Sequence, residues 1–110
     1  MHAVTLIDQD EMHAGALAAC LRARDLHVTH HIRANSALSM LKRQNAPCDL
    51  VLLNVSDSSQ PWVRILRELQ EACFSFSRRH PLVLCISTVK RQPLFALQIE
   101  RLGARFVYER

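Results

Sequence analysis

At 110 residues the chain is long enough for one domain with a single hydrophobic core, and we treat residues 1–110 as that domain. Hydrophobic residues make up 49% of it and charged residues 22%, which excludes an intrinsically disordered chain. There is no apolar run long enough for a membrane span and no secretory signal, so we expect a cytoplasmic domain. The net charge of +4 is modest and has no aromatic platform beside it, so direct nucleic-acid binding is not favoured.

The four cysteines give no sign of a disulfide or metal framework, because they form no Cys-x-x-Cys pair and have no regular spacing. Cys20 and Cys85 lie in apolar stretches, where a reduced thiol packs as a small hydrophobic group. We therefore expect buried, reduced cysteines, as in a protein kept in a reducing compartment.

The first half of the chain predicts two strands and two helices in alternation. The apolar run 4–7 stops at polar residues, as in a strand buried on both faces of a parallel sheet, and Asp10 can cap the helix that follows. Residues 26–32 indicate a second strand, whose histidines suit a sheet edge better than a metal site. The second helix is expected to begin at Asn35 or Ser36.

The second half continues the alternation. Residues 50–53 are the most apolar strand, and Pro61 suits the first turn of the long helix that follows. A strand over 82–86, a fourth helix that ends near Gly103 and a strand over 106–108 complete the pattern. Strands that alternate with helices at this spacing predict an α/β fold, with a parallel sheet covered on both faces.

The polar residues at the strand ends form the candidate site, because ligands of an open parallel sheet gather at the carboxyl ends of its strands. They are Asp8 and Asp10 after the first strand, Asn54 at the end of the third, Ser87 and Thr88 after the fourth and Arg110 after the fifth. A phosphate-bearing cofactor would need a loop rich in backbone N–H donors after the first strand. The acidic residues found there argue against such a flavodoxin-like small-molecule site, which stays an alternative.

Four blocks of the chain resemble the receiver domains of bacterial response regulators, the CheY-like family of two-component systems. They are Leu-Ile-Asp-Gln-Asp at 6–10, Asp-Leu-Val-Leu-Leu-Asn at 49–54, Pro-Leu-Val-Leu-Cys-Ile-Ser at 81–87 and Gly-Ala-Arg-Phe-Val-Tyr-Glu-Arg at 103–110. The resemblance implies a three-layer, doubly wound sheet of five parallel strands in the order 2-1-3-4-5. Receivers also have a fifth helix, for which this sequence leaves no residues, so we expect an output region beyond it or a neighbouring chain over the gap.

The resemblance also implies a role for each strand end. In the family, an acidic pair after the first strand holds Mg²⁺, and an aspartate at the end of the third strand accepts the phosphoryl group. Asp8 matches the first acid of the pair, and Asp10 matches an acidic position that usually serves the start of the helix. Gln9 takes the place of the second acid, and Asn54 takes the place of the phosphoacceptor. This is an atypical version of the site.

The remaining positions of the family site have changed as well. Ile86 falls on the Ser or Thr of the fourth strand, with Ser87 one residue later, and Arg110 falls on the lysine of the fifth. Phosphoryl transfer needs an ionised oxygen, which the amide of Asn54 lacks. Mg²⁺ prefers carboxylates, and Gln9 is a neutral amide. We therefore expect a degenerate pocket that holds no metal or cofactor and is not phosphorylated.

The environment of Asp8 is open at this point. Its carboxylate could pair with Arg110 or accept a hydrogen bond from Asn54, which would lock the pocket without a metal. Alternatively, it could be solvated at the mouth of the sheet.

The function that the sequence favours is a phosphorylation-independent signalling domain, not an enzyme. It would act through protein contacts and homodimerisation, as the N-terminal part of a bacterial transcriptional regulator that carries a covalently linked output domain. We expect a partner surface on the fourth helix and fifth strand that includes Phe95, Ile99, Phe106 and Tyr108. One alternative is an active receiver that uses Asp57, three residues beyond the third strand, as its phosphoacceptor.

Overall fold

The computed structural model describes residues 2–43, 48–76 and 81–109, apart from the side chains of residues 75 and 76. Strands and helices alternate along these ranges as the sequence predicts. They are β1 (Ala3–Ile7), α1 (Glu11–Arg22), β2 (His27–His31), α2 (Ala34–Leu41), β3 (Leu50–Asn54), α3 (Trp62–Phe76), β4 (Leu82–Ser87), α4 (Pro93–Arg101) and β5 (Arg105–Tyr108). None of the helices in this part of the chain combines the length and apolarity that crossing a membrane requires.

All five strands are parallel and lie in the order β2-β1-β3-β4-β5. This confirms the predicted doubly wound, CheY-like arrangement, with the histidine-bearing β2 at one edge. The chain reverses its direction of winding between β1 and β3, whose register pairs Val4 with Leu50. Ligands of such sheets bind at the strand ends beside this reversal. Asp8 and Asn54, at the ends of β1 and β3, meet at this place.

Burial of the central strands on both faces explains the continuous apolar runs of the sequence. In β3, Val51 and Leu53 belong to the larger core cluster, under α2, α3 and α4, whereas Leu52 belongs to the smaller cluster under α1. Successive side chains of a strand point to opposite faces, so a strand covered on both sides needs an apolar residue at every position.

The local signals at the helix ends are partly confirmed. Asp10 is the N-cap of α1, and its carboxylate accepts hydrogen bonds from the backbone N–H groups of Met12 and His13. The predicted start of α2 is wrong by a residue or two, because the helix begins at Ala34 after Arg33. The hydroxyl of Ser36 donates to the backbone oxygen of Arg33 and contacts His31, so it does not cap the helix.

Burial of the cysteines follows the sequence in part. Cys85 is fully buried, and burial raises the pKa of its thiol to about 12, so the sulfur stays protonated and packs as an apolar atom. Cys48 and Cys73 are buried too. Cys20 corrects the prediction, because it lies on the exposed side of α1. All four thiols are free, as expected.

Ile99 departs from the expected partner surface. Its side chain is completely buried between α4 and the sheet, so it holds the helix down and cannot contact a partner. Phe95 and Phe106 are partly buried and pack edge to face, with ring centroids 5.8 Å apart. Of the four residues predicted for this surface, only Tyr108, at 44% exposure, is well exposed.

Candidate functional site

The carboxyl ends of β1 and β3 bring most of the predicted site residues into one cleft. A hollow of about 350 Å³, here named the strand-end pocket, is lined by Asp8, Gln9, Asp10, Asn54, Ser56 and Asp57. The parallel register explains this grouping, because β1 and β3 finish at the same edge of the sheet. Arg110, also expected here, lies outside the described residues.

Asp8 is the most deeply buried charged group of the pocket, with 1% of its surface exposed. Its Oδ1 atom accepts hydrogen bonds from the backbone N–H of Asp10, at 2.9 Å, and from Nδ2 of Asn54, at 3.0 Å. Of the arrangements left open by the sequence, the structure therefore shows the Asn54 bond, and a solvated Asp8 is wrong. A buried carboxylate needs such donors, because burial without partners destabilises its charge.

Asn54 is held from both sides, so the orientation of its amide is determined by its neighbours. Its Oδ1 atom accepts from the backbone N–H of Ser56, at 2.9 Å, and from the Ser56 hydroxyl. Exchanging its oxygen and nitrogen would place an oxygen against the Asp8 carboxylate and an NH₂ group against an N–H. The position expected to accept a phosphoryl group therefore presents a neutral hydrogen-bond donor to Asp8.

His13, which the sequence analysis did not select, completes the surroundings of Asp8. From the first turn of α1 its Nδ1 atom contacts Oδ2 of Asp8, and its Nε2 atom lies 2.7 Å from Oε2 of Glu109. Glu109 follows β5 and is 96 residues away along the chain. The one feature of the sequence that could have indicated His13 is its position in the first turn of α1, the helix that follows Asp8 and Asp10. That indication is weak.

The two carboxylates control the charge of the His13 ring. Burial of the ring disfavours its charged form, but the hydrogen bonds with Asp8 and Glu109 outweigh burial and raise the pKa of His13 above its ordinary value of 6.5. Protonated His13 thus stabilises the native state. This stabilisation is fully present below pH 6.5 and is lost as the pH rises through the raised pKa of the folded state.

A pH series tests this coupling. His13→Gln should lower the free energy of unfolding by on the order of 1 kcal/mol more at acidic than at alkaline pH, the size of a charge-assisted hydrogen bond. Urea denaturation of wild type and variant between about pH 5.5 and 8.5 measures it. Each variant is compared with wild type at the same pH, because burial and His30 lower the pKa of His31 and give it the opposite dependence. A gap that widens toward alkaline pH, or one equally large for exposed His27→Gln, would contradict the assignment.

The fourth strand does not supply a hydroxyl to the pocket from the expected positions. Ile86 is buried and pairs in register with Asn54, whereas the Ser87 hydroxyl donates to the backbone oxygen of Val89. Thr88 takes part instead, since its backbone N–H donates to the Ser56 hydroxyl oxygen at 2.9 Å. Ser56 therefore links Asn54 to the loop between β4 and α4.

Asp57 lines the same pocket but is engaged locally. Its Oδ1 atom accepts from the backbone N–H and the hydroxyl of Ser59, at 2.9 and 2.7 Å, and these bonds lower the pKa of Asp57 below its usual value. Asp57 is therefore an ionised carboxylate at the rim of the pocket.

The residues present do not fit the Mg²⁺ that the resemblance implies. Both oxygens of Asp8 already face donors, and Asn54 turns its NH₂ group toward Asp8 and its oxygen toward Ser56. Mg²⁺ requires several oxygen ligands that point at one centre. In the described part of the chain, no group of three or more His, Cys, Asp or Glu side chains is arranged to hold a metal ion.

No protein-family model matches the chain, and no curated protein matches it. Many solved structures do. A response regulator from Burkholderia pseudomallei, with a phosphorylated aspartic acid and a calcium ion, superposes with a TM-score of 0.80 at 16% identity, over 99% of this chain and 60% of that one. A CheY-like receiver domain protein from Methanospirillum hungatei JF-1 gives 0.81 at 12% identity, covering 99% and 82%.

The BeF3-activated N-terminal receiver domain of RstA from Klebsiella pneumoniae gives a TM-score of 0.76 at 18% identity, over 97% of this chain and 85% of that one. At such identities the superpositions establish the fold, while the chemistry of the site rests on this chain's own residues. The chain has the fold of a response-regulator receiver domain, with the CheY-like order of five parallel strands.

Proposed function

We propose that the chain is a receiver-like signalling domain that works without phosphorylation and without catalytic activity of its own. The observation that carries this proposal is the amide of Asn54, which stands at the expected phosphoacceptor position and donates to Asp8. The Burkholderia protein, in contrast, contains a phosphorylated aspartic acid. An amide has no ionised oxygen to attack phosphorus, so acceptance of a phosphoryl group at position 54 is not possible.

Protein contacts are the mode of action that we propose, because α4 and β5 are neighbouring elements and both carry exposed apolar side chains. The exposed residues are Leu94, Leu97, Val107 and Tyr108, which are 61%, 44%, 46% and 44% exposed. Apolar side chains that are exposed on a protein surface and form one patch favour the binding of a partner protein. The proposed setting is the N-terminal part of a cytoplasmic bacterial transcriptional regulator that forms homodimers and has a linked output domain.

Labelling with a small acyl phosphate tests the proposal. Wild-type protein incubated with radiolabelled acetyl phosphate and Mg²⁺ should incorporate no label, because Asn54 is uncharged and the oxygens of Asp8 are occupied. Addition of about 10 mM Mg²⁺ should leave its unfolding temperature unchanged, since only a ligand that binds the native state raises it. A label on the wild-type chain that alkali or hydroxylamine releases, as expected of an aspartyl phosphate, would overturn the proposal.

A second function has one specific observation in its favour, namely that Asp57 is ionised and lines the same pocket as Asp8. Both hydrogen bonds of Asp57 with Ser59 use Oδ1, so Oδ2 would be the oxygen that accepts a phosphoryl group. Asp57→Asn is the matched variant. If wild type takes up label and this variant does not, the chain is an active receiver with a displaced acceptor.

A further inference from the structure

The contact between His13 and Asp8 carries an inference beyond the loss of the phosphoacceptor. We infer that the imidazole of His13 takes, from within the chain, the place beside Asp8 that a cation would occupy, and that its bond to Glu109 keeps it there. The inference rests on the proposed function, because it explains how a metal-free pocket keeps its buried acid. His13 is thus a positioning residue that closes the pocket.

The buried charge of Asp8 has to be compensated within the protein. Its side chain is 0% exposed, and a buried carboxylate is stable only when opposite charge or several donors compensate it. Two of its donors, the N–H of Asp10 and the NH₂ of Asn54, are neutral. Among the described residues, His13 makes the ion pair of Asp8. His30 contacts only the backbone oxygen of Asp8, and the guanidinium of Arg91 lies over the Phe95 ring, 4.1 Å from its centre.

The His13 ring faces a carboxylate at each nitrogen. A neutral imidazole has one N–H donor, whereas hydrogen bonds to Asp8 from Nδ1 and to Glu109 from Nε2 require both. The doubly protonated ring is therefore the form that this geometry selects. It places a positive charge directly against Oδ2 of Asp8, which is where an approaching cation would have to bind.

Glu109 anchors the His13 ring. Its backbone N–H donates to the Ser87 oxygen at 2.8 Å, which fixes the segment after β5 beside the end of β4. The ring of His13 is only 16% exposed and is bonded at both nitrogens. It cannot turn away from Asp8 without losing Glu109 as well. A cation would have to break both contacts, and charge repulsion from the ring opposes its approach.

It follows that restoring the missing acids is not sufficient to restore a metal site. The test compares the acid-restored protein, Gln9→Asp/Asn54→Asp, with the same protein carrying His13→Ala in addition. Mg²⁺ is titrated into both, and binding is followed through the unfolding temperature and the fluorescence of Trp62. Removing His13 should tighten Mg²⁺ binding by about tenfold or more, since a neighbouring positive charge is lost and Oδ2 of Asp8 is freed. The control is His27→Ala in the acid-restored protein, an exposed histidine on β2 that should leave the affinity unchanged.

Equal Mg²⁺ affinities with and without His13 would overturn the inference. That result would leave the proposed function standing, which fails only if the wild-type chain itself binds Mg²⁺ or takes up label. Should the acid-restored proteins not fold, proton NMR of the wild type decides instead. Below pH 6.5, two slowly exchanging ring N–H signals of His13, unchanged by about 10 mM Mg²⁺, are expected. A single ring N–H signal, or loss of both on adding Mg²⁺, would contradict the bridging ring.

Discussion

Asn54→Asp, a change that alters charge but not shape, is expected to destabilise the protein by about 2–4 kcal/mol at neutral pH. In the wild type, Nδ2 of Asn54 donates to Oδ1 of Asp8 across 3.0 Å, and both side chains are almost fully buried. The substitution replaces this hydrogen bond by two carboxylate oxygens at the same separation. Two negative charges at such a short distance, away from water, repel each other strongly. The variant restores the aspartate of the family site, but it should therefore lower the stability of the fold.

Urea denaturation at several pH values measures the effect. The loss should be largest near neutral pH and should shrink as the solution is made acidic, because one of the two carboxylates then takes up a proton. Asn35→Asp is the matched control. The same change in the exposed first turn of α2 should be neutral or slightly stabilising, since negative charge suits a helix N-terminus. An Asn54→Asp protein as stable as wild type at neutral pH would show that the amide of Asn54 does not support Asp8.

Ile99→Ala should be of similar severity, at about 2–5 kcal/mol, for a different reason. The side chain is completely buried among residues of β3, α3 and β4, so its removal leaves a cavity as well as losing apolar burial. Leu94→Ala on the same helix is the matched control and should cost less than about 1 kcal/mol, because Leu94 is 61% exposed. Equal effects of the two substitutions would mean that Ile99 is not part of the core.

This pair of variants also separates stability from partner binding on α4. Because Ile99 points inward, a loss of association in Ile99→Ala would reflect a loosened helix. Leu94, Leu97 and Tyr108 are the residues whose substitution should weaken association while leaving the fold intact. The helical pattern of the sequence placed Phe95 and Ile99 on one face of α4, and the structure shows that this face is the inner one.

Most of the fold follows from local patterns. Continuous apolar runs such as 50–53 have to be buried on both sides, and together with the intervening helices they are compatible with a doubly wound parallel sheet. The ends of elements were harder to place. Ser36 has the side chain of a helix cap, but its hydroxyl contacts His31 and the backbone of Arg33, an interaction that depends on where β2 lies.

For the site as well, residue identity decided one part of the chemistry and tertiary packing decided the other. The identities of Asn54 and Gln9 alone excluded a phosphoacceptor at position 54 and the second acid of the family's pair at position 9, since an amide lacks ionised oxygens wherever the fold places it. The bridge from Asp8 through His13 to Glu109 had no comparable signal. His13 and Glu109 are 96 positions apart, and their proximity depends on the order of the strands and on the packing of α1 against the sheet. Local residue chemistry is a property of the chain, whereas the partner of a buried charge is decided by packing.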